Sequence, residues 1–111
     1  MNEKIFLGTY ERRIDEKSRV VLPYQFRKAL NDGIIYQVLT EDSIKCYDSS
    51  FQKTIQAYLS RPIQERQKFF PRIEVTKIDK QGRIRLHHQF KKDENLETVL
   101  FVGKGDFFEI K

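Results

Sequence analysis

Two aspartates each stand four residues ahead of an arginine, and the two pairs lie 64 residues apart: Asp15–Arg19 and Asp79–Arg83. A carboxylate in this position can accept hydrogen bonds from the N–H groups of a tight turn and hold the reversal. The guanidinium beside it is a planar fork of donors, shaped for a phosphate or for guanine O6 and N7. A single pair of this kind reads as a turn with a surface ion pair worth about 0–1 kcal/mol. Two pairs in the same context carry more weight.

That context is a repeat. Ile14-Asp15-Glu16-Lys17-Ser18-Arg19-Val20-Val21-Leu22 returns as Ile78-Asp79-Lys80-Gln81-Gly82-Arg83-Ile84-Arg85-Leu86. The register continues through Gln25/Gln89, Phe26/Phe90, Lys28/Lys92, Asn31/Asn95, Val38/Val102 and Asp42/Asp106. One supersecondary unit is built twice, and neither copy is expected to bury its apolar face alone. Two such units present their surface groups in pairs, which suits a symmetric partner such as duplex DNA.

Strand alternation sorts the residues by face. Val20, Leu22, Ile84 and Leu86 point to one side and are expected in the core. Arg19 falls opposite with Val21, and Arg83 with Arg85 and His87. On the incoming strands, Arg13 and Lys77 share the side of Asp15 and Asp79. The expected surface is a two-fold-related cluster of Arg13, Lys17, Arg19, Lys77, Lys80, Arg83 and Arg85 around two protruding turns. Such a cluster suits phosphates and base edges in the major groove of double-stranded DNA.

The elements that must carry these groups follow from periodicity and punctuation. In the first unit, residues 5–47, a strand runs to Ile14 and the Asp15–Ser18 turn leads into a strand over Arg19–Leu22. A helix over Tyr24–Leu30 follows, stopped by Asn31-Asp32-Gly33, then strands over Ile34–Leu39 and Ile44–Tyr47. Residues 73–111 repeat that order, with strands over Glu74–Ile78, Arg83–Leu86, Val99–Val102 and Phe107–Ile110 and a short helical segment after Leu86. Residues 48–72 differ. Ser49 and Gln52 form a capping-box pattern opening a helix over Phe51–Leu59, and Pro62 opens a second short helix that ends near Phe70. The expected fold is mostly β with helices, an α+β single domain over residues 1–111, with two pseudo-symmetric units and a central helical insert.

Charge supports the same direction. Of 111 residues, 21 are basic and 16 acidic, a net charge of +5. Residues 1–50 carry eight of each sign, so the excess lies in the second part, most densely between Arg61 and Lys92. No apolar run is long enough to span a bilayer, no leader precedes the fold, and the single Cys46 excludes an intrachain disulfide, which together place the chain by default in a reducing cytoplasm.

Glu11–Leu30, ERRIDEKSRVVLPYQFRKAL, closely resembles the DNA-binding motif of AbrB-type transition-state regulators, and the whole arrangement resembles the MraZ family, the two-copy member of that superfamily. The carriers are Phe6-Leu7-Gly8-Thr9-Tyr10-Glu11, both Asp-x-x-x-Arg turns, the insert with Phe69-Phe70, and Phe108-Glu109-Ile110. The resemblance implies a swapped-hairpin β-barrel and a ring-like homo-oligomer. It also implies a nucleoid-associated transcriptional regulator that binds short tandem DNA repeats upstream of the division and cell-wall gene cluster. Matching the motif position by position implicates Arg19 as the DNA-contacting arginine, Lys17 beside it, and Arg83 in the second copy. Arg12, Arg27 and Lys28 also match basic positions of the motif, although alternation puts Arg12 on Ile14's side, towards the core. Ser18 stands where the family has glycine, His87-His88 replaces the proline step kept at Pro23, and family members continue past Lys111 into another helix.

Other classes fit less well. His87 and His88 are neighbours, so on a strand they face opposite sides and form no paired ligand set. No spaced carboxylate, cysteine or third histidine completes a site, so no metal, cofactor or small-molecule substrate is expected, and an enzyme is not the reading. Cys46 aligns with Ile110 and reads as a core residue, and Gly103-Lys104-Gly105 as a hairpin turn. RNA binding lacks a stacking platform, because the aromatics fall at core positions. The rival of substance is an AbrB-like antitoxin or protein-interaction module, which usually has one copy of the motif followed by a disordered tail; here there are two copies and no tail.

Overall fold

The two copies exchange strands. The computed structural model describes residues 5–90 and 97–111. In the first copy β1 (Thr9–Arg13) turns at Asp15 into β2 (Arg19–Val21), followed by α1 (Tyr24–Ala29), β3 (Ile34–Leu39) and β4 (Ile44–Tyr47). The insert holds α2 (Gln52–Tyr58) and α3 (Ile63–Phe69), flanked by 3-10 turns over Ser49–Phe51 and Phe70–Arg72. The second copy gives β5 (Ile73–Lys77), β6 (Arg83–Arg85), β7 (Thr98–Gly103) and β8 (Phe108–Ile110).

The main sheet has the order β1-β7-β8-β4-β3-β5, which reads the same from either end once copies are interchanged. β1 pairs with β7, its Thr9 opposite Val102, and β5 pairs with β3, its Ile73 opposite Val38. These are the same register displaced by the repeat. The pseudo-two-fold axis passes between Lys45 and Glu109, which face each other across β4 and β8 as an opposite-charge pair. It also passes between Val20 and Ile84, which face each other in a separate two-stranded ribbon of β2 and β6.

The closed β-barrel expected from the resemblance is not formed. Among the described residues no ladder joins β1 to β5, so the sheet is open with these strands at its edges. The reason is geometric. After five residues each edge strand leaves the sheet through its aspartate turn, and the ribbon closes the core instead. Val20, Leu22, Ile84 and Leu86, the inward residues of the ribbon, lie in one buried cluster with Ile35, Ile44, Cys46, Val99, Phe101, Phe108 and Ile110 of the sheet.

Phe26 of α1 fills the middle of that core. It is fully buried against the rings of Phe6, Tyr10, Phe101 and Phe108. Pro23, with φ −54°, sets the entry to α1, whose buried Phe26 and Ala29 are three residues apart, on one face. Nearby, the chain before β1 presses on Gly103, where a Cβ would lie 2.4 Å from the Phe6 carbonyl oxygen; only glycine fits.

On the other face of the sheet the insert docks through aromatics. Phe51 stacks on Tyr47 at 4.4 Å and meets Tyr36 at 5.8 Å, while Tyr58 of α2 stacks on Phe69 of α3 at 4.1 Å. The expected capping box is replaced by Asp48, whose carboxylate accepts from the Ser50 N–H at 3.0 Å; a 3-10 turn, shorter than an α turn, puts the cap one residue earlier. Residues His87–Phe90 form a turn rather than a helix start, closed by the Phe90 N–H donating to the His87 carbonyl at 2.9 Å. The remainder of the expected second-copy helix lies outside the described residues.

Candidate nucleic-acid interface

The two aspartate turns are built alike. Asp15 Oδ1 accepts from the backbone N–H of Lys17 at 2.9 Å and of Arg19 at 2.8 Å, while Oδ2 accepts from Arg19 Nε at 2.8 Å. Asp79 does the same with Gln81 at 2.9 Å, Arg83 at 2.9 Å and Arg83 Nε at 2.8 Å. Each carboxylate thus closes its turn and pins one edge of the guanidinium, leaving the Nη groups as the donors free to meet a ligand.

A left-handed residue completes each turn: Ser18 at φ 60° and Gly82 at φ 79°. Glycine tolerates this region, whereas an L side chain strains it by about 1–2 kcal/mol. Part of that is offset by glycine's greater freedom in the unfolded chain. Ser18→Gly is therefore expected to stabilise the protein by about 1 kcal/mol, read as a rise in Tm of about 4 °C. An unchanged or lower Tm would show that the serine is not strained.

The same hydrogen bonds set the carboxylates' ionisation. Partial desolvation raises the Asp15 pKa, but the bonds from Arg19 and Lys17 outweigh it and hold the group below its ordinary value. At Asp79 the bond from the Arg83 backbone is the largest influence and acts in the same direction. A carboxyl whose folded pKa is lowered adds stability above its unfolded pKa, about 3.9, and loses that stability as pH falls through the folded value. Wild-type Tm is expected to drop below about pH 4, and the Asp15→Asn/Asp79→Asn double variant to respond less steeply over that interval. Parallel melting curves for the two proteins would exclude this role.

Between the turns lies the ribbon. Arg19 stands opposite Arg85, and Val21 opposite Arg83. These four side chains share the outer face, while Val20 and Ile84 are 1% exposed on the inner one. Hydrogen bonds from the Leu22 N–H to the Gly82 carbonyl and from the Leu86 N–H to the Ser18 carbonyl, both 2.9 Å, put one aspartate turn at each end. Three arginines thus crowd a narrow surface whose fourth corner is the exposed Val21. Like charges directly opposed across strands are destabilising, and here Asp15 and Asp79 compensate only Arg19 and Arg83. An anion on this face would relieve the repulsion.

The other expected residues surround this patch unequally. Lys17 and Lys80 are exposed on the turns, and Arg13 and Lys77 are exposed at the ends of the edge strands leading into them. Arg27 and Lys28 are exposed on α1; the Arg27 guanidinium lies against Gly82, where a Cβ would come within 2.5 Å of Nη1, so the first copy's helix places a cation on the second copy's turn. Arg12 is half-buried, donates to the Glu11 carbonyl at 2.8 Å and lies over the Tyr10 ring at 5.6 Å, turned along its own strand away from the cluster.

Gln37 was not singled out from sequence, yet it braces the ribbon. Fully buried, it donates from Nε2 to the Arg85 carbonyl and accepts at Oε1 from the His87 N–H, both at 2.8 Å. The signal was present: a glutamine inside the apolar run Ile34–Leu39, at the position where the repeat puts Phe101.

The histidine pair requires a correction. His87 and His88 follow the end of β6 and lie in a turn, so strand alternation does not apply to them. Their rings stack at 5.1 Å and 12°, and Nδ1 of both faces Glu74 Oε2 of β5, His87 at 3.8 Å and His88 in direct hydrogen bond. Desolvation raises the Glu74 pKa, but the hydrogen bonds from His88 outweigh it, so this carboxyl also sits below its ordinary value.

The fold and site together define a pseudo-two-fold β-sheet protein whose outer ribbon face carries three arginines between two aspartate turns. Comparison with known proteins is more particular. The family model described as "MraZ protein, putative antitoxin-like" matches residues 5–68, and the chain belongs to this family. Relatives named transcriptional regulator MraZ include those of Leuconostoc mesenteroides, 31% identical, Micrococcus luteus, 32%, and Kocuria rhizophila, 32%. Each alignment covers 96% of this chain and 80% of the relative.

Proposed function

We propose that this protein is a sequence-specific, double-stranded DNA-binding transcriptional regulator that sets its β2–β6 ribbon into the major groove. The carrying observation is the outer face of that ribbon, where Arg19, Arg83 and Arg85 converge and the turn carboxylates of Asp15 and Asp79 pair with only two of the three. A two-stranded ribbon fits a major groove about 12 Å wide, and bidentate arginine–guanine pairs are the commonest specific contact there. Lys17, Lys80, Arg13, Lys77, Arg27 and Lys28 flank the ribbon at both ends and act on the phosphates. The relatives' names support a role in transcription.

In this reading residues 5–47 and 73–111 are interlocked repeats of one domain, exchanging first hairpins in the swapped-hairpin manner, with 48–72 as an insert. The protein acts as a homo-oligomer on short tandem repeats upstream of a division and cell-wall gene cluster, in the cytoplasm at the nucleoid. Among the described residues no helix is long and apolar enough to cross a membrane.

A mobility-shift titration tests this, using DNA from upstream of the host's own gene and a scrambled duplex of equal length. Selective retention of the first is the expected result. With six or more cations on phosphates, affinity falls roughly a thousandfold between about 50 and 200 mM salt. Equal retention of both duplexes, or affinity indifferent to salt, would overturn the reading.

A further inference from the structure

The repeat is broken at one pole of the molecule in a concerted way. Around Phe26 the first copy's Tyr10 and Pro23 and the second copy's Phe101 make an apolar pole. At the other pole the positions related by the 64-residue offset hold Glu74, His87 and Gln37, and Tyr24 is answered by His88. Four apolar or aromatic positions have become two imidazoles, a carboxylate and a carboxamide, and they meet. We propose that Glu74, His87 and His88 form a binding site for a divalent transition-metal ion of the zinc type.

The geometry points to a cation between these groups. His87 Nε2 lies 3.0 Å from the Arg72 carbonyl oxygen, which can only accept, so the proton sits on Nε2 and the Nδ1 lone pair is turned inwards. That lone pair accepts only a long hydrogen bond from the Gln89 N–H, at 3.2 Å, and faces Glu74 Oε2 at 3.8 Å. Two acceptors facing each other at this separation repel unless positive charge lies between them. His88 Nδ1 completes the set, with all three ligand atoms within 4.8 Å of one another. Zinc bonds to imidazole nitrogen and carboxylate oxygen of about 2.0–2.2 Å require donors about 3.4 Å apart in a tetrahedral site. The His87–Glu74 separation is already close to that, and the His88 side chain, 68% exposed, is free to swing into place.

The surroundings match a metal site beyond its ligands. A ligating histidine that donates its second ring N–H to a backbone carbonyl is the usual orienting arrangement, and His87 has it while fully buried. Two nitrogens and one oxygen suit zinc, nickel or copper and leave a fourth position for water. An ion bound here would tie β5 to the chain leaving β6, a segment that the Gln37 bridge also fastens.

The full-length, untagged protein, stripped with a chelator, is titrated with Zn2+ by calorimetry and with Co2+ by visible absorption. Both histidines of the chain belong to the site, so imidazole nitrogen NMR reports on it without ambiguity. One Zn2+ per chain is expected, with the Nδ1 resonances of both histidines shifting together. His88→Gln and Glu74→Gln, both at accessible positions, are each expected to weaken binding at least about tenfold. Melting curves of wild type and variants without metal establish that each variant still unfolds cooperatively, separating lost ligation from lost folding. Absence of saturable binding would overturn the proposal. So would undiminished affinity in the His88→Gln/Glu74→Gln double variant, or a Co2+ thiolate band, which would place the ion on Cys46. None of these readouts depends on DNA.

Discussion

Arg19→Ala is expected to abolish selection between the native operator and a scrambled duplex, leaving weak, salt-sensitive binding to both. Arg19 is held by Asp15 at 2.8 Å and lies directly opposite Arg85, so its Nη groups form part of the ribbon's outer face near the pseudo-two-fold axis. A bidentate contact to guanine is worth about 1–3 kcal/mol of discrimination, or roughly 5- to 150-fold, and each further copy in an oligomer multiplies the loss. Arg83→Ala is expected to weaken binding less, because its cross-strand neighbour is Val21 rather than a second arginine. Arg19→Lys separates charge from geometry: it keeps a cation but loses the fork, so non-specific affinity should survive while selectivity falls. Titration of each variant against both duplexes reads this directly. A wild-type footprint from Arg19→Ala would remove the ribbon from the recognition surface.

Phe26→Ala should have the largest effect on folding. The ring is fully buried and meets four others, with centroid distances of 5.4 Å to Phe6, 5.5 Å to Tyr10, 6.2 Å to Phe101 and 4.8 Å to Phe108. Two of these belong to the first copy and two to the second, so the cavity would open at the seam between copies. Truncating a buried phenylalanine costs about 3–5 kcal/mol, a large share of the roughly 5–15 kcal/mol that holds a domain of this size. A fall in Tm of more than about 10 °C is expected. Phe90, its half-buried counterpart in the repeat, provides the comparison: Phe90→Ala should cost clearly less. Equal losses at the two positions would mean that the poles are packed alike, contrary to the polar substitution of one of them.

The reach of local reasoning is visible residue by residue. Ile34–Leu39 and Ile44–Tyr47 were legible to the residue, because short apolar and alternating runs bounded by turn signals leave little freedom. The aspartate turns were legible too, since their hydrogen bonds span only two to four residues. Arg12 is instructive: alternation turned it inward in spite of its charge, and the structure places it half-buried over Tyr10. The histidine pair failed for the opposite reason. Alternation does not reach His87 and His88, two and three residues past the end of β6, where the backbone has left the strand and the rule no longer holds.

Sequence alone was sufficient for the duplication, for the family resemblance, for the turn chemistry and for which residues of the ribbon face outward. All of these depend on the order of neighbours or on a repeat length, which a one-dimensional text contains. It could not say which strand pairs with which. The exchange of β1 and β5 between copies, the open sheet and the opposition of Arg19 to Arg85 arise from contacts between residues about 40 to 90 positions apart, where many registers satisfy the same pattern. The meeting of Glu74 with His87 and His88 belongs to the same category, because a turn after one strand and the face of another come together only when the whole core closes.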